Sequence, residues 1–186
     1  MFKTYLELGF THILDPQGID HILFLIALTL PFSLKDWKRV IILVTAFTIG
    51  HSVTLALAAF DIIAVNSRII EILIAVSIFM TALINLIRPS YQKEDSMISS
   101  YILALGFGLI HGLGFSNFFK SLFGDESIVK PLLSFNIGVE CAQVLIVGIC
   151  LITSWAVSIK MYKQYWTYLW SIIIAVLALK MILERL

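Results

Sequence analysis

The chain has 186 residues, of which 60% are hydrophobic and only 13% are charged, and its mean hydropathy is +0.98. A soluble domain of this length could not bury so much apolar surface, so the composition predicts an integral membrane protein. The formal net charge of +1 and the lack of a basic run argue against a nucleic-acid-binding protein.

The chain begins with a segment that mixes charged and apolar side chains over residues 1–15, a pattern typical of a short amphipathic segment at the membrane interface. Six later stretches are apolar over the roughly 20 residues that a membrane span requires. They are 18–34, 38–60, 67–88, 98–120, 131–157 and 165–184. The sequence therefore predicts an all-α, polytopic membrane protein: one domain over residues 1–186, a six-transmembrane-helix bundle with a short N-terminal interfacial segment.

The first predicted span is the weakest, because Asp20 and His21 lie at its start and Pro31 lies near its end. Six spans place both termini on the same side of the membrane. Basic residues cluster in the first loop, where orientation is often decided, at Lys35, Lys38 and Arg39. We therefore expect both termini to lie outside the cytoplasm.

All four histidines lie in or beside apolar stretches, at His12, His21, His51 and His111. Imidazole is costly to bury in lipid, so intramembrane histidines usually face a shared interior site. Histidine is also the commonest metal-ligating side chain. Histidines on different predicted helices therefore favour one metal site inside the bundle.

The depths of the polar residues support this interpretation. Asp20 and His21 lie about 3–5 Å below the terminal-side end of the first span, and Glu71 lies about 6–8 Å in. Three residues lie about 13–15 Å in from that same side, namely His51, His111 and Glu140. The polar residues thus converge in one half of the bilayer and predict a funnel that narrows towards the midplane.

Each position also has a structural interpretation. Asp20 and His21 supply two ligands, or Asp20 caps the first helix while His21 binds interfacial water. His51 and His111 bind metal or make interhelical hydrogen bonds. Beside His111, two glycines spaced for close helix packing occur at Gly108 and Gly112.

Glu140 is the deepest acid and shares a helix face with Asn136. No lysine or arginine lies at comparable depth, so an ionised Glu140 requires a bound cation; the alternative is a neutral Glu140 hydrogen-bonded to Asn136 or to a histidine. Glu71 either pairs with Arg68 or lies on the access route. We therefore predict metal ligands at Asp20, His21, His51, His111 and Glu140, with access or accessory positions at His12, Asp15, Glu71 and Asn136.

Four strings in this chain resemble the signature strings of the HupE/UreJ family, over about residues 10–145 and in the same order. They are Gly18-Ile19-Asp20-His21-Ile22-Leu23-Phe24, Phe47-Thr48-Ile49-Gly50-His51-Ser52-Val53-Thr54-Leu55, Phe107-Gly108-Leu109-Ile110-His111-Gly112-Leu113-Gly114-Phe115 and Phe135-Asn136-Ile137-Gly138-Val139-Glu140. The resemblance implies a bacterial inner-membrane permease for nickel or cobalt. The chain is also distantly similar to the larger nickel/cobalt transporter family. Residue by residue, the resemblance implicates His12, Asp20, His21, His51, His111 and Glu140.

Two functions fit these residues. The first is transport of a divalent transition metal, because imidazole with carboxylate suits nickel, cobalt or zinc. The second is a membrane-embedded metal-dependent hydrolase for a lipid or lipidated substrate, with Glu140 or Asp20 as general base. A structural subunit without metal is a third interpretation. The expected partners are the lipid bilayer and the metal ion, and assembly into a homo-oligomer is left open.

Overall fold

The computed structural model describes residues 2–63, 65–90, 97–121 and 129–186, and these residues form α-helices without any strand. The helices are α1 (Phe2–Leu14), α2 (Ile19–Thr29), α3 (Trp37–Ala59), α4 (Ser67–Ile87), α5 (Met97–Ser121), α6 (Val129–Ser158) and α7 (Lys163–Arg185). Short 3-10 turns at Pro16–Gly18 and Leu34–Asp36 precede α2 and α3. The predicted all-α fold is therefore confirmed.

Five of the six predicted spans are confirmed as helices long and apolar enough to cross a membrane. These segments are Leu34–Ala59, Ser67–Ile87, Met97–Ser116, Val129–Ser158 and Lys163–Arg185. Many large apolar side chains face outwards from α7, including Leu169, Ile172, Val176 and Leu183. Such a surface suits lipid rather than water, so the chain is an integral membrane protein.

The first predicted span differs from the others because its helix, α2, has only 11 residues. Eleven residues rise about 16 Å, roughly half the hydrocarbon thickness of a bilayer. The segment after α2 packs against the start of α7: Thr167 donates a hydrogen bond to the Leu30 carbonyl, and Lys163 donates one to the Pro31 carbonyl. Pro31 cannot continue a helix, which explains the early end of α2. A count of six crossings stays a prediction.

Helices α3 and α5 run parallel and touch backbone to backbone, which explains the glycines beside the central histidines. A Cβ atom at Gly108 would overlap the Phe47 carbonyl, and one at Gly112 would overlap the His51 carbonyl. On α3, a Cβ atom at Gly50 would overlap the Leu105 carbonyl. The close-packing role predicted for Gly108 and Gly112 is thus confirmed, and it sets His51 and His111 on two helices in direct contact.

A second pair of glycines fixes the N-terminal helix against α6. A Cβ atom at Gly9 would overlap the Phe135 carbonyl, and one at Gly138 would overlap the Leu6 carbonyl. Leu6 contacts Gly138 and the later residue Gly9 contacts the earlier residue Phe135, so α1 and α6 are antiparallel. This packing aligns α1 with the first half of α6 and directs His12, near the end of α1, towards the interior.

Candidate metal centre

Three histidines from three helices meet inside the bundle. His12 on α1, His21 on α2 and His51 on α3 each offer one ligand nitrogen, and these atoms lie within 4.8 Å of one another. A metal bound about 2.1 Å from each nitrogen holds its ligand atoms within about 4.2 Å of one another, so small side-chain adjustments would suffice. We call His12, His21 and His51 the histidine trio.

The ring nitrogens at this centre are buried but lack hydrogen-bond partners within the described part of the chain. They are His12 Nε2, both nitrogens of His21, both nitrogens of His51 and His111 Nε2. His51 is fully buried and His21 is only 6% exposed. Leaving a buried polar group unpaired typically costs about 1–3 kcal/mol, so these imidazole nitrogens are available to bind a metal ion.

His12 is suited to metal binding by its protonation state as well as its position. Burial, together with the neighbouring imidazoles of His21 and His51, lowers the pKa of His12 well below its ordinary value. Only a neutral imidazole can ligate a metal. The lowered pKa therefore keeps His12 in its metal-binding form near neutral pH.

His111 lies beside the histidine trio, and its ring centroid is 5.3 Å from that of His21. Its Nδ1 atom is 2.8 Å from the Phe107 carbonyl oxygen, one turn earlier on α5. This hydrogen bond requires a proton on Nδ1, which leaves a lone pair on Nε2. This tautomer leaves Nε2 of His111 free to bind a metal, although His111 is not one of the three histidines whose ligand atoms lie together.

Asp20 lies directly behind His21. One of its carboxylate oxygens, Oδ1, is 3.1 Å from His21 Nδ1 and also accepts a hydrogen bond from the His21 backbone N–H at 2.9 Å. The ring contact lacks hydrogen-bond geometry, since His21 Nδ1 has no partner within the described residues. A carboxylate on this side of the ring leaves Nε2 as the nitrogen available to a metal.

Glu140 has different neighbours. Thr45 donates a hydrogen bond to Glu140 Oε1 at 2.6 Å, and the Thr48 hydroxyl contacts Oε2. The Thr48 hydroxyl oxygen also lies 2.6 Å from Gln143 Oε1. These contacts join α6 to α3 one turn along α3 from His51. Asn136, one turn before Glu140, has a buried Oδ1 without a partner among the described residues.

The predicted access residues His12 and Asp15 line one open pocket of about 550 Å³. Its other lining residues are Leu8, Thr11, Leu14, Pro16 and Phe115. His12 belongs to both this pocket and the histidine trio, so its side chain lies between the pocket and the buried centre. His12, predicted as an access or accessory residue, is thus also a member of the buried histidine cluster.

Glu71 lies near the Arg185 guanidinium rather than pairing with Arg68. Arg185 Nη1 donates a hydrogen bond to the Glu71 carbonyl at 2.8 Å, and its Nε lies 3.9 Å from the Glu71 carboxylate. Arg68 instead donates to the Arg185 carbonyl at 3.0 Å. Glu71 thus helps to fix the end of α7 against α4.

Aromatic rings surround the centre. The His12 ring lies 3.8 Å from that of Phe115, and the His111 ring lies 5.2 Å from Phe24 and 5.0 Å from Phe47. Phe24 and Phe47 are themselves stacked at 4.9 Å. Such an apolar shell restricts water and strengthens the electrostatic interactions of a bound ion.

Comparison with known proteins identifies the family of this chain. The sequence matches the family described as HupE / UreJ protein over residues 1–185. The chain belongs to the HupE/UreJ family. No curated protein and no solved structure matches it. The family assignment inferred from the four strings is therefore confirmed over essentially the whole of this HupE/UreJ chain.

The aromatic shell and Arg185 of this HupE/UreJ protein were not among the residues predicted from the sequence. The sequence does carry a signal for the aromatic shell. Phe47 precedes His51 by four residues, and Phe107 precedes His111 by four, so each pair shares a helix face. No comparable signal exists for Arg185, which reaches the centre only through the packing of α7.

Proposed function

We propose that this HupE/UreJ protein transports a divalent transition-metal cation, nickel or cobalt, with zinc as a third candidate, through an intramembrane histidine/carboxylate site. The observation that carries the proposal is the histidine trio with its buried, unpartnered ring nitrogens. Neutral imidazoles favour these borderline metals over magnesium or calcium, which prefer oxygen ligands.

In this proposal the ion enters through the pocket beside His12 and Asp15 and is bound by His12, His21 and His51. Asp20 fixes the ring of His21 or joins the ligand set. His111 is the next ligand, because its Nε2 has no partner among the described residues, its ring lies 5.3 Å from that of His21 and it contacts the aromatic shell. Such a sequence lets the ion pass between sites rather than remain in one.

A route beyond the aromatic shell is supported by a second cavity. It has a volume of about 530 Å³ and reaches Phe107, whose carbonyl binds His111. Its polar lining residues are Thr81, Asn85, Arg88, Ser90, Ser99 and Ser100. We assign Glu140 to the later path as a transient ligand, and Asn136 keeps its predicted accessory role. Six crossings of a bacterial inner membrane, with both termini outside the cytoplasm, complete the proposed arrangement.

The test is metal binding and metal flux by the purified protein. We expect wild type to bind about one nickel or cobalt ion per chain and to carry it across proteoliposome membranes. His51→Ala should lose about 100-fold or more in affinity and all flux, because it removes a buried ligand. Ser171→Ala is the matched control, since Ser171 is fully buried in α7 and its hydroxyl has no partner among the described residues.

The alternative function gives a different result. Stoichiometric metal that wild type retains without flux would contradict transport and favour the metal-dependent hydrolase. Failure of wild type to bind any of the three metals would contradict both functions.

A further inference from the structure

Arg185 is the cation that the structure places at the back of the metal centre. Its Nη2 atom lies 3.8 Å from Oδ2 of Asp20, whose other oxygen is 3.1 Å from His21 Nδ1. The three side chains are largely buried, with 24% exposure for Arg185, 13% for Asp20 and 7% for His21. A chain of contacts therefore runs from the last turn of α7 to the histidine trio.

Two features of α4 hold Arg185 in place. Its guanidinium donates a hydrogen bond to the Glu71 carbonyl at 2.8 Å and lies 3.9 Å from the Glu71 carboxylate. Arg185 thus contacts two acids, Glu71 on α4 and Asp20 on α2. Its position does not depend on Asp20 alone.

This placement has an electrostatic consequence for a bound divalent cation. Asp20 alone would attract the ion strongly and could rotate to ligate it. The Arg185 guanidinium neutralises that carboxylate, competes with the ion for it and itself repels the ion. In a partly buried site, where charges are poorly screened, these effects are large.

We propose that Arg185 is a positioning residue that lowers the affinity of the centre for its metal by holding Asp20, so that the ion is released rather than retained. This inference rests on the proposed function. It predicts a gain of affinity from removing a side chain that touches the site. A purely structural role for Arg185 predicts a loss.

The experiment measures the Kd for cobalt and the visible absorption of the cobalt-bound protein in detergent. Arg185→Gln should bind cobalt about tenfold or more tightly, since a repelling charge is removed and Asp20 is freed. The cobalt spectrum should change as the carboxylate joins the ligands, and flux in proteoliposomes should slow. Arg185→Lys keeps the charge and should restore affinity and flux towards the wild-type values.

Lys180→Gln is the matched control, because Lys180 lies on the same helix, is 68% exposed and pairs with Glu184. It removes one positive charge from α7 away from the centre and should leave the Kd unchanged.

Unchanged or weaker cobalt binding by Arg185→Gln, in protein that elutes and melts like wild type, would overturn the inference. If Arg185→Gln does not fold, a Lys variant with the affinity of wild type supports the charge role, and one with tighter binding contradicts it. Absence of binding in wild type would instead be a failure of the proposed function.

Discussion

At the scale of single residues, Asp20 and Glu140 are both acids near buried histidines, yet they have different partners. Asp20 contacts His21 and Arg185, both of which carry nitrogen donors. Glu140 accepts from the hydroxyls of Thr45 and Thr48. A carboxylate already bonded to two hydroxyls must give up those bonds to ligate a metal. Glu140 is therefore expected to contribute less than the histidine trio to equilibrium binding.

This difference predicts the behaviour of Glu140→Gln. The glutamine keeps the shape of the side chain and one acceptor oxygen, so nickel affinity should stay within about threefold of wild type, whereas His21→Ala should lose about 100-fold. Flux should fall more than affinity, because the later path loses its only acid on α6. The measurements are competition titration and proteoliposome uptake. A loss of affinity as large as that of His21→Ala would make Glu140 a primary ligand.

At the scale of helices, glycine contacts decide which histidines meet. Gly50, Gly108 and Gly112 bring α3 and α5 into contact, whereas Gly9 and Gly138 bring α1 onto α6. Hydropathy predicted the five long helices to within two residues at each end, because a bilayer requires long apolar segments. Their pairing was predictable only around Gly108 and Gly112. The position of α1 against α6 was not predictable, since its amphipathic pattern suits a membrane interface as well as a groove on α6.

The packing of α1 gives a prediction for Gly138. Gly138→Ala should push α1 away from α6, because its Cβ atom would overlap the Leu6 carbonyl and lie 2.9 Å from the Phe10 backbone nitrogen. Overpacking of this kind costs about 1–3 kcal/mol. Because His12 lies on α1, we expect nickel affinity to fall towards that of His12→Ala, measured by the same titration.

Gly148→Ala is the matched control on the same helix. A Cβ atom at Gly148 meets nothing within 4 Å, so this variant should keep both its melting temperature and its affinity. If Gly138→Ala bound nickel as tightly as Gly148→Ala, the close contact of α1 would not be what places His12.

At the scale of the whole molecule, the centre is assembled from segments far apart in sequence. The depth of polar residues predicted that His21, His51 and His111 would converge, because all helices share the same bilayer. Depth alone does not fix the rotation of a helix or its neighbours. For this reason depth gave His12 only an access or accessory role and gave no role to Arg185 on α7, and the grouping of Glu140 with the histidines stays a prediction.

The two pockets lie towards opposite ends of α5. Phe115 lines the pocket beside His12, whereas Ser100 lines the pocket that ends at Phe107. Fifteen residues of helix separate Ser100 from Phe115 by about 22 Å. On α5, His111 lies between Phe107, which lines the second pocket, and Phe115, which lines the first, an order that suits the proposed transport by alternating access.

This arrangement predicts which cysteine variants react from each side of the membrane. In a background without Cys141 and Cys150, Thr11→Cys should react with a membrane-impermeant maleimide only from one face, and Ser100→Cys only from the other. Thiols react as thiolates in water, so Val176→Cys, on the lipid-facing side of α7, should react from neither. Nickel should slow labelling of Thr11→Cys, because the ion occupies the end of that pocket.

Labelling of Thr11→Cys and Ser100→Cys from the same face would contradict a route through the histidine trio. Reaction of Ser100→Cys from the opposite face would instead place the second pocket where a transported ion must leave.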